Sequence, residues 1–296
     1  MIEPFTVPFM GRALAELALL ALVCGPVSVF VFARRLSFVS DALTHTVFPG
    51  VVIGFLAGGI EGIVVGALVA GVVTAVALTL LSRGGALSDD AATAVVLTAM
   101  FSIGVVLVSR RSSYTSDLTS FLFGRILTVT PRQIAETAVL AVVILGLLLI
   151  SARALVFRTF DPAGAAAAGF RIAGLDLLLN IIVALVVVAA VRAVGTILVV
   201  ALLIVPAATA RLLTTRLPLM AVIGTGLILV AAYGGLLTSW TASVDYGISL
   251  TSASAVVLLL VLAYLLLLPL GALRSRRNHG QSISTEARRS PHELVG

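Results

Sequence analysis

Nine apolar stretches, separated by short charged or proline-bearing segments, decide the fold class before any motif does. They run over Ala13–Phe32, Ala42–Leu56, Gly62–Leu81, Ala91–Val108, Thr137–Phe157, Leu175–Ala190, Gly195–Leu213, Leu219–Leu237 and Leu250–Leu270. A helix needs about 20 apolar residues to cross a bilayer, so most of these are long enough to span. Of the 296 residues, 60% are hydrophobic and 11% charged. The 19 basic and 13 acidic side chains cannot coat a soluble core of that size, because ordinary soluble domains carry roughly 25% charge. The composition therefore excludes a soluble enzyme, a disordered chain and a fibre. It predicts an all-α polytopic membrane protein of eight to nine spans. It places residues 1–273 in the membrane domain and leads us to expect a flexible basic tail over 274–296.

All 19 basic residues are arginine. A phosphate-binding P-loop needs its lysine, so any nucleotide that drives this chain is bound by another polypeptide. The arginines fall in loops and tail, which suits membrane topology and gives nucleic-acid binding no support. Nine spans place the termini on opposite sides, and the basic tail favours a cytoplasmic C-terminus. Cys24 is the single cysteine and can form no internal disulfide.

Ionisable groups inside a membrane are costly and therefore point to function. The segment Ser40–Gly50 carries Asp41 and His45 four residues apart, on one helix face. A carboxylate and an imidazole so placed can both ligate a first-row divalent cation. His45 is the one histidine before the tail, which holds His279 and His292. Pro49 opens the backbone ladder one turn further on. The spacing alone fits Asp41 as a helix cap with His45 bonded to a carbonyl better than a ligand pair. Two ligands also leave a four-coordinate site incomplete, so water, another helix or a partner must supply the rest. Glu16 reads as a residue reaching the interface, Asp176 and Asp89-Asp90 as helix-start charges. Asp245 reads as a turn residue, with Trp240 and Tyr246 as interfacial anchors. Gly54, Gly58, Gly62 and Gly66 recur every four residues across the Gly58-Gly59 turn, which reads as helix packing.

Between the fifth and sixth stretches the chain reads RTFDPAGAAAAGFRIAG. Asp161 and Pro162 form a helix start, the run Ala163–Ala168 has almost no side-chain bulk, and Gly169 stops it. A short smooth helix at the membrane edge is shaped for a groove on another protein; an interfacial turn fits as well.

Four motifs, in order, carry a resemblance. RRLSFVSDALTHTVFPGVVIGFLAGG, YTSDLTSFLFGRILTVT, RTFDPAGAAAAGFRI and VRAVGTILVVALLIVPAATARLL together span residues 34–213. They resemble the signatures of permease subunits of ABC-type manganese, zinc and iron importers, with Thr44 where serine is usual. The resemblance implies two permease chains, two cytoplasmic ATPases and an extracytoplasmic metal-binding protein. It implies that Asp41 and His45 line the ion path, and that Asp161, Pro162 and Gly169 belong to the element seated on the ATPase. The chain would then be a transport subunit rather than an enzyme. It would hold no permanent cofactor, and its cargo would be zinc, or alternatively manganese or iron. A proton-coupled secondary carrier would need more than one deep acid. An intramembrane metalloprotease would need a second histidine after the HELVG of the tail. A passive channel would not explain the small-residue helix.

Overall fold

In a computed structural model, residue 5 and residues 7–83, 88–109, 124–248 and 250–269 are described. Among them the chain is helical, without strands. The helices are α1 (Pro8–Ala33), α2 (Ser37–Thr46), α3 (Phe48–Arg83), α4 (Asp89–Ser109), α5 (Pro131–Phe160), α6 (Pro162–Ala167), α7 (Ile172–Leu213) and α8 (Leu217–Tyr246). The last is α9 (Ser252–Pro269). A 3₁₀ turn at Ile126–Thr128 precedes α5.

Helix α3 is two arms folded at Gly58 and Gly59, the latter with φ 62°. The arms press backbone to backbone. A Cβ on Gly54 would lie 2.2 Å from the carbonyl oxygen of Gly62, and one on Gly50 would lie 2.2 Å from that of Gly66. The glycine repeat is thus helix packing within one hairpin, and Gly50 joins it. Together with α2, the first arm makes the crossing Ser37–Gly59, and the second arm makes Glu61–Arg83.

Helix α7 has 42 residues, which would make a straight rod of about 63 Å, twice the ~30 Å hydrocarbon core. It is not a rod. Near its start Asp176 meets Arg34, at the end of α1, and Arg158, in the last turn of α5. Arg192 meets Glu136, near the opposite end of α5. Beyond Gly195 the chain returns. Pro206 lies against Gly224 at the Gly25 level of α1, and Ala210 clusters with Met220 and Val29, further along α1. Gly195 makes the reversal with φ 77° and ψ 167°, a region essentially closed to residues with a Cβ. Eight long apolar helices, one of them folded into two arms, therefore give nine crossings among the described residues. The described chain starts at one end of the bundle and finishes at the other.

The α7 hairpin is the core. Leu179, Ile182, Val187, Leu198, Leu202 and Leu203 are completely buried, and α1, α2, α3, α5 and α8 pack around them. The outward residues of the surrounding helices are just as apolar: Ile150 is 88% exposed and Val230 73%, as lipid-facing positions should be. Local signals set the ends. Thr130 accepts from the Gln133 N–H while Gln133 accepts from the Thr130 N–H, with Pro131 in the first turn of α5. Helix α8 continues to Tyr246 and ends on left-handed Gly247, so Asp245 lies in its last turn and not in a loop. The tail after Arg274, the histidines in it and Asp117 lie outside the described residues.

Candidate metal path and coupling segment

Asp41 and His45 lie beyond the first turn of α2. Helix α2 begins at Ser37 without a side-chain cap, so Asp41 does not cap it. His45 donates to no carbonyl among the described residues. Instead His45 Nε2 stands 4.0 Å from Asp41 Oδ1, with the side chains 33% and 45% exposed. Their neighbours Ser40, Ala42, Leu43, Thr44 and Thr46 are buried, because α2 packs against α4 and α7. The pair therefore occupies the one open face of an otherwise enclosed helix. The Thr44 hydroxyl turns inward and donates to the Asp41 carbonyl at 2.7 Å, and Phe101 stands edge-on to the imidazole. Pro49 has no N–H to give the carbonyl of His45 one turn earlier.

One turn beyond the pair, at the start of α3, Pro49 and Ile53 line an apolar groove of about 640 Å³ bounded by Val65, Val69 and Met100. Among the described residues no group of three or more acidic, histidine or cysteine side chains gathers to hold a metal. One chain offers an ion two ligands here.

Helix α6 forms where the sequence places it. The Asp161 carboxylate accepts from the Gly164 N–H at 2.8 Å and Pro162 opens the helix. Gly169 closes it with φ 87° while the Phe170 N–H returns to the Ala165 carbonyl at 3.1 Å. Ala165 alone is buried in this helix; Pro162, Ala163, Ala166 and Ala167 are exposed. Phe160 and Phe170, 65% and 42% exposed, flank this smooth surface, and Phe170 packs edge-on against Phe157.

Two charge clusters went unrecognised in the sequence. Asp176, read there as a helix-start charge, bridges Arg34 and Arg158, the latter at 3.1 Å. Glu16, read as reaching the interface, is fully buried and accepts from the Thr137 hydroxyl at 2.8 Å. Beside it Glu136 accepts from Arg132 at 3.1 Å and Arg192 at 2.8 Å, and Arg132 also holds Glu61 at 2.6 Å. Apart from Arg132 and Glu136, which are four residues apart, these partners are separated in sequence; only the arginines at span edges hinted at them.

A nine-crossing helical bundle with an open acid–imidazole face and an exposed capped helix at one end defines a membrane permease. Residues 6–268 match the family model described as the ABC 3 transport family, and the chain belongs to that family. It is 34% identical over 242 residues to the manganese transport system membrane protein MntC of Halalkalibacterium halodurans, covering 82% of each chain. It is 33% identical over 238 residues to the chelated iron transport system membrane protein YfeD of Yersinia pestis, covering 80% of this chain and 79% of the other. Its fold is similar to that of PsaBC from Streptococcus pneumoniae, solved in complex with Fab. The TM-score is 0.77 at 30% identity, with coverage of 90% of this chain and 95% of that one.

Proposed function

We propose that the chain is the membrane subunit of an ATP-driven importer for a divalent transition metal, working as two copies with a separate ATPase beneath them. The observation that carries the reading is the Asp41–His45 pair, open to one side on a buried helix and short of a full ligand set. A second copy facing the first would bring two more ligands, enough for a four-coordinate ion. The groove one turn beyond the pair would lie along the same contact. Family membership disfavours the secondary-carrier alternative. The exposed α6, flat and flanked by Phe160 and Phe170, is the seat of the ATPase, with the C-terminus on that cytoplasmic side.

The relatives carry manganese and chelated iron in their names, and the lean toward zinc gains nothing from them. Oxygen and nitrogen ligands without thiolate suit manganese and iron as well as zinc; Cys24 is buried in α1. Manganese is the first cargo to test, by uptake in competition with iron and zinc.

The decisive experiment is metal uptake by matched amounts of assembled complex carrying Asp41→Ala or His45→Ala. Even outer partners of metal ligands matter on the order of 10–100-fold in affinity, so each variant should lose most uptake while still binding the ATPase. Parental uptake by both places the ion path elsewhere.

A further inference from the structure

Asp176 belongs neither to the proposed ion path nor to the exposed face of α6, yet it joins the two. Its Oδ2 accepts from Arg158 Nη2 at 3.1 Å, and Arg158 sits in the last turn of α5. Asp176 itself lies in the second turn of α7. One carboxylate thus ties together the helices that enter and leave α6. Its other oxygen, Oδ1, accepts from Arg34 Nη2, at the corner where α1 becomes α2. That corner is strained: Arg35 takes φ 56°, a left-handed conformation unfavourable for any residue with a Cβ. Helix α2, with Asp41 and His45, starts just beyond it.

We propose that Asp176 is the positioning residue that transmits displacement of α6 to α2. The ATPase moves α6, the roots of α6 move with it, and the Asp176–Arg34 contact turns the corner that aims Asp41 and His45. The proposal rests on reading residues 161–169 as the ATPase seat.

Three features make the cluster a transmission element and not only a brace. Its side chains are mostly covered, with 12%, 20% and 27% exposure for Arg34, Arg158 and Asp176, so water and salt weaken it less than a surface pair. It is also unsaturated: Arg34 Nη1 and Arg158 Nε are buried without an acceptor among the described residues. Finally, it has room and an alternative. Arg34, Arg158 and Asp176 border a cavity of about 300 Å³, whose wall also carries Asp89, a carboxylate with no side-chain partner among the described residues. Two discrete arrangements of one packed cluster are what carries coupling between distant sites.

The test uses the full complex of this chain, its ATPase and the metal-binding protein in liposomes, reading metal imported per ATP hydrolysed. Asp176→Asn should keep the ATPase bound and hydrolysing while that ratio falls about tenfold, within the range usual for allosteric coupling. Asp176→Glu, which can still bridge both arginines, should recover at least about half of the ratio. Arg34→Gln leaves the Arg158–Asp176 pair intact to support folding and should lose the ratio as Asp176→Asn does; it decides alone if Asp176→Asn does not accumulate. A parental ratio in either neutral variant overturns the proposal, as does loss of ATPase binding in Asp176→Asn or failure of Asp176→Glu to recover. Ala166→Trp, on the exposed face of α6, tests the seat separately. Undiminished ATPase binding there removes the seat reading, whatever the Asp176 variants do.

Discussion

Replacing Asp161 with alanine removes the acceptor that holds the Gly164 N–H at 2.8 Å. Loss of such a cap costs about 1 kcal/mol, and α6 has little with which to compensate. It has six residues, whereas isolated helices need about 12–15 to be even marginal. What remains is the closure at its far end, from the Phe170 N–H to the Ala165 carbonyl, and the contact between Phe157 and Phe170. One kcal/mol corresponds to about a fivefold shift in the wound-to-unwound equilibrium of α6, given that 1.4 kcal/mol is tenfold. A partner that binds only the wound form loses affinity by up to the same factor, in full where the free helix is mostly unwound. Titrating the purified ATPase onto this chain in nanodiscs should therefore show Asp161→Ala binding up to about fivefold more weakly, with faster hydrogen exchange over residues 163–169. Asp161→Asn and Asp161→Ser still offer an acceptor and should bind within about twofold of the parent, because the cap, not the charge, is at stake. If the asparagine variant is as weak as the alanine one, the carboxylate touches the partner directly. Unchanged binding by the alanine variant means that α6 is not the seat.

Gly195→Ala forces a Cβ into a backbone region that costs of order 1–3 kcal/mol and should lower the Tm of the solubilised chain; an unchanged Tm contradicts the reversal at Gly195. Gly54→Leu drives a side chain into the Gly62 backbone and should sharply reduce the folded yield by size-exclusion chromatography. Gly226→Leu, where a Cβ meets nothing within 4 Å, should not; equal yields would mean that the two arms of α3 do not pack as described. Cys24, fully buried in α1, should resist maleimide until the protein is unfolded, and rapid labelling of the native form would refute the packing of α1.

Hydropathy and local caps made most of the bundle legible. The nine apolar stretches correspond to nine crossings because lipid demands the same apolar length wherever the chain passes. Most of their starts moved outward, as where Pro131 and the Thr130–Gln133 box start α5 well before its apolar run begins, while α9 starts at Ser252, inside its apolar stretch. Asp161, Pro162 and Gly169 were legible for a related reason: a cap and a left-handed stop act within a few residues. What hid was tertiary. Val191, Arg192 and Val194 keep α7 helical up to Gly195, since Arg192 finds Glu136 on α5 and so does not break the helix. Asp176 looked like a dipole charge because its acceptor oxygens serve Arg34, 142 positions away, and Arg158, 18 away. Glu16 looked interfacial because nothing near it in sequence announces Thr137.

These same pairings narrow the choice of an ion ligand. A cation entering the membrane needs a carboxylate whose oxygens are not already held by a cation. Glu136 is held by Arg132 and Arg192, Asp176 by Arg34 and Arg158, and Glu61 by Arg132. A metal ion at any of these would have to displace a guanidinium while being repelled by it at short range. Glu16 is sealed from solvent. Asp89, Asp90 and Asp245 stand in the terminal turns of their helices. Asp41 differs: no arginine reaches it among the described residues, its imidazole neighbour at 4.0 Å is beyond hydrogen-bond range, and it is open to one side. An importer must also let its cargo go. Four ligands on one chain would close around a metal as structural sites do, whereas two per chain, as proposed above, would hold it only while a second pair is in place. On that proposal, movement of α2 that separates the pairs would release the ion.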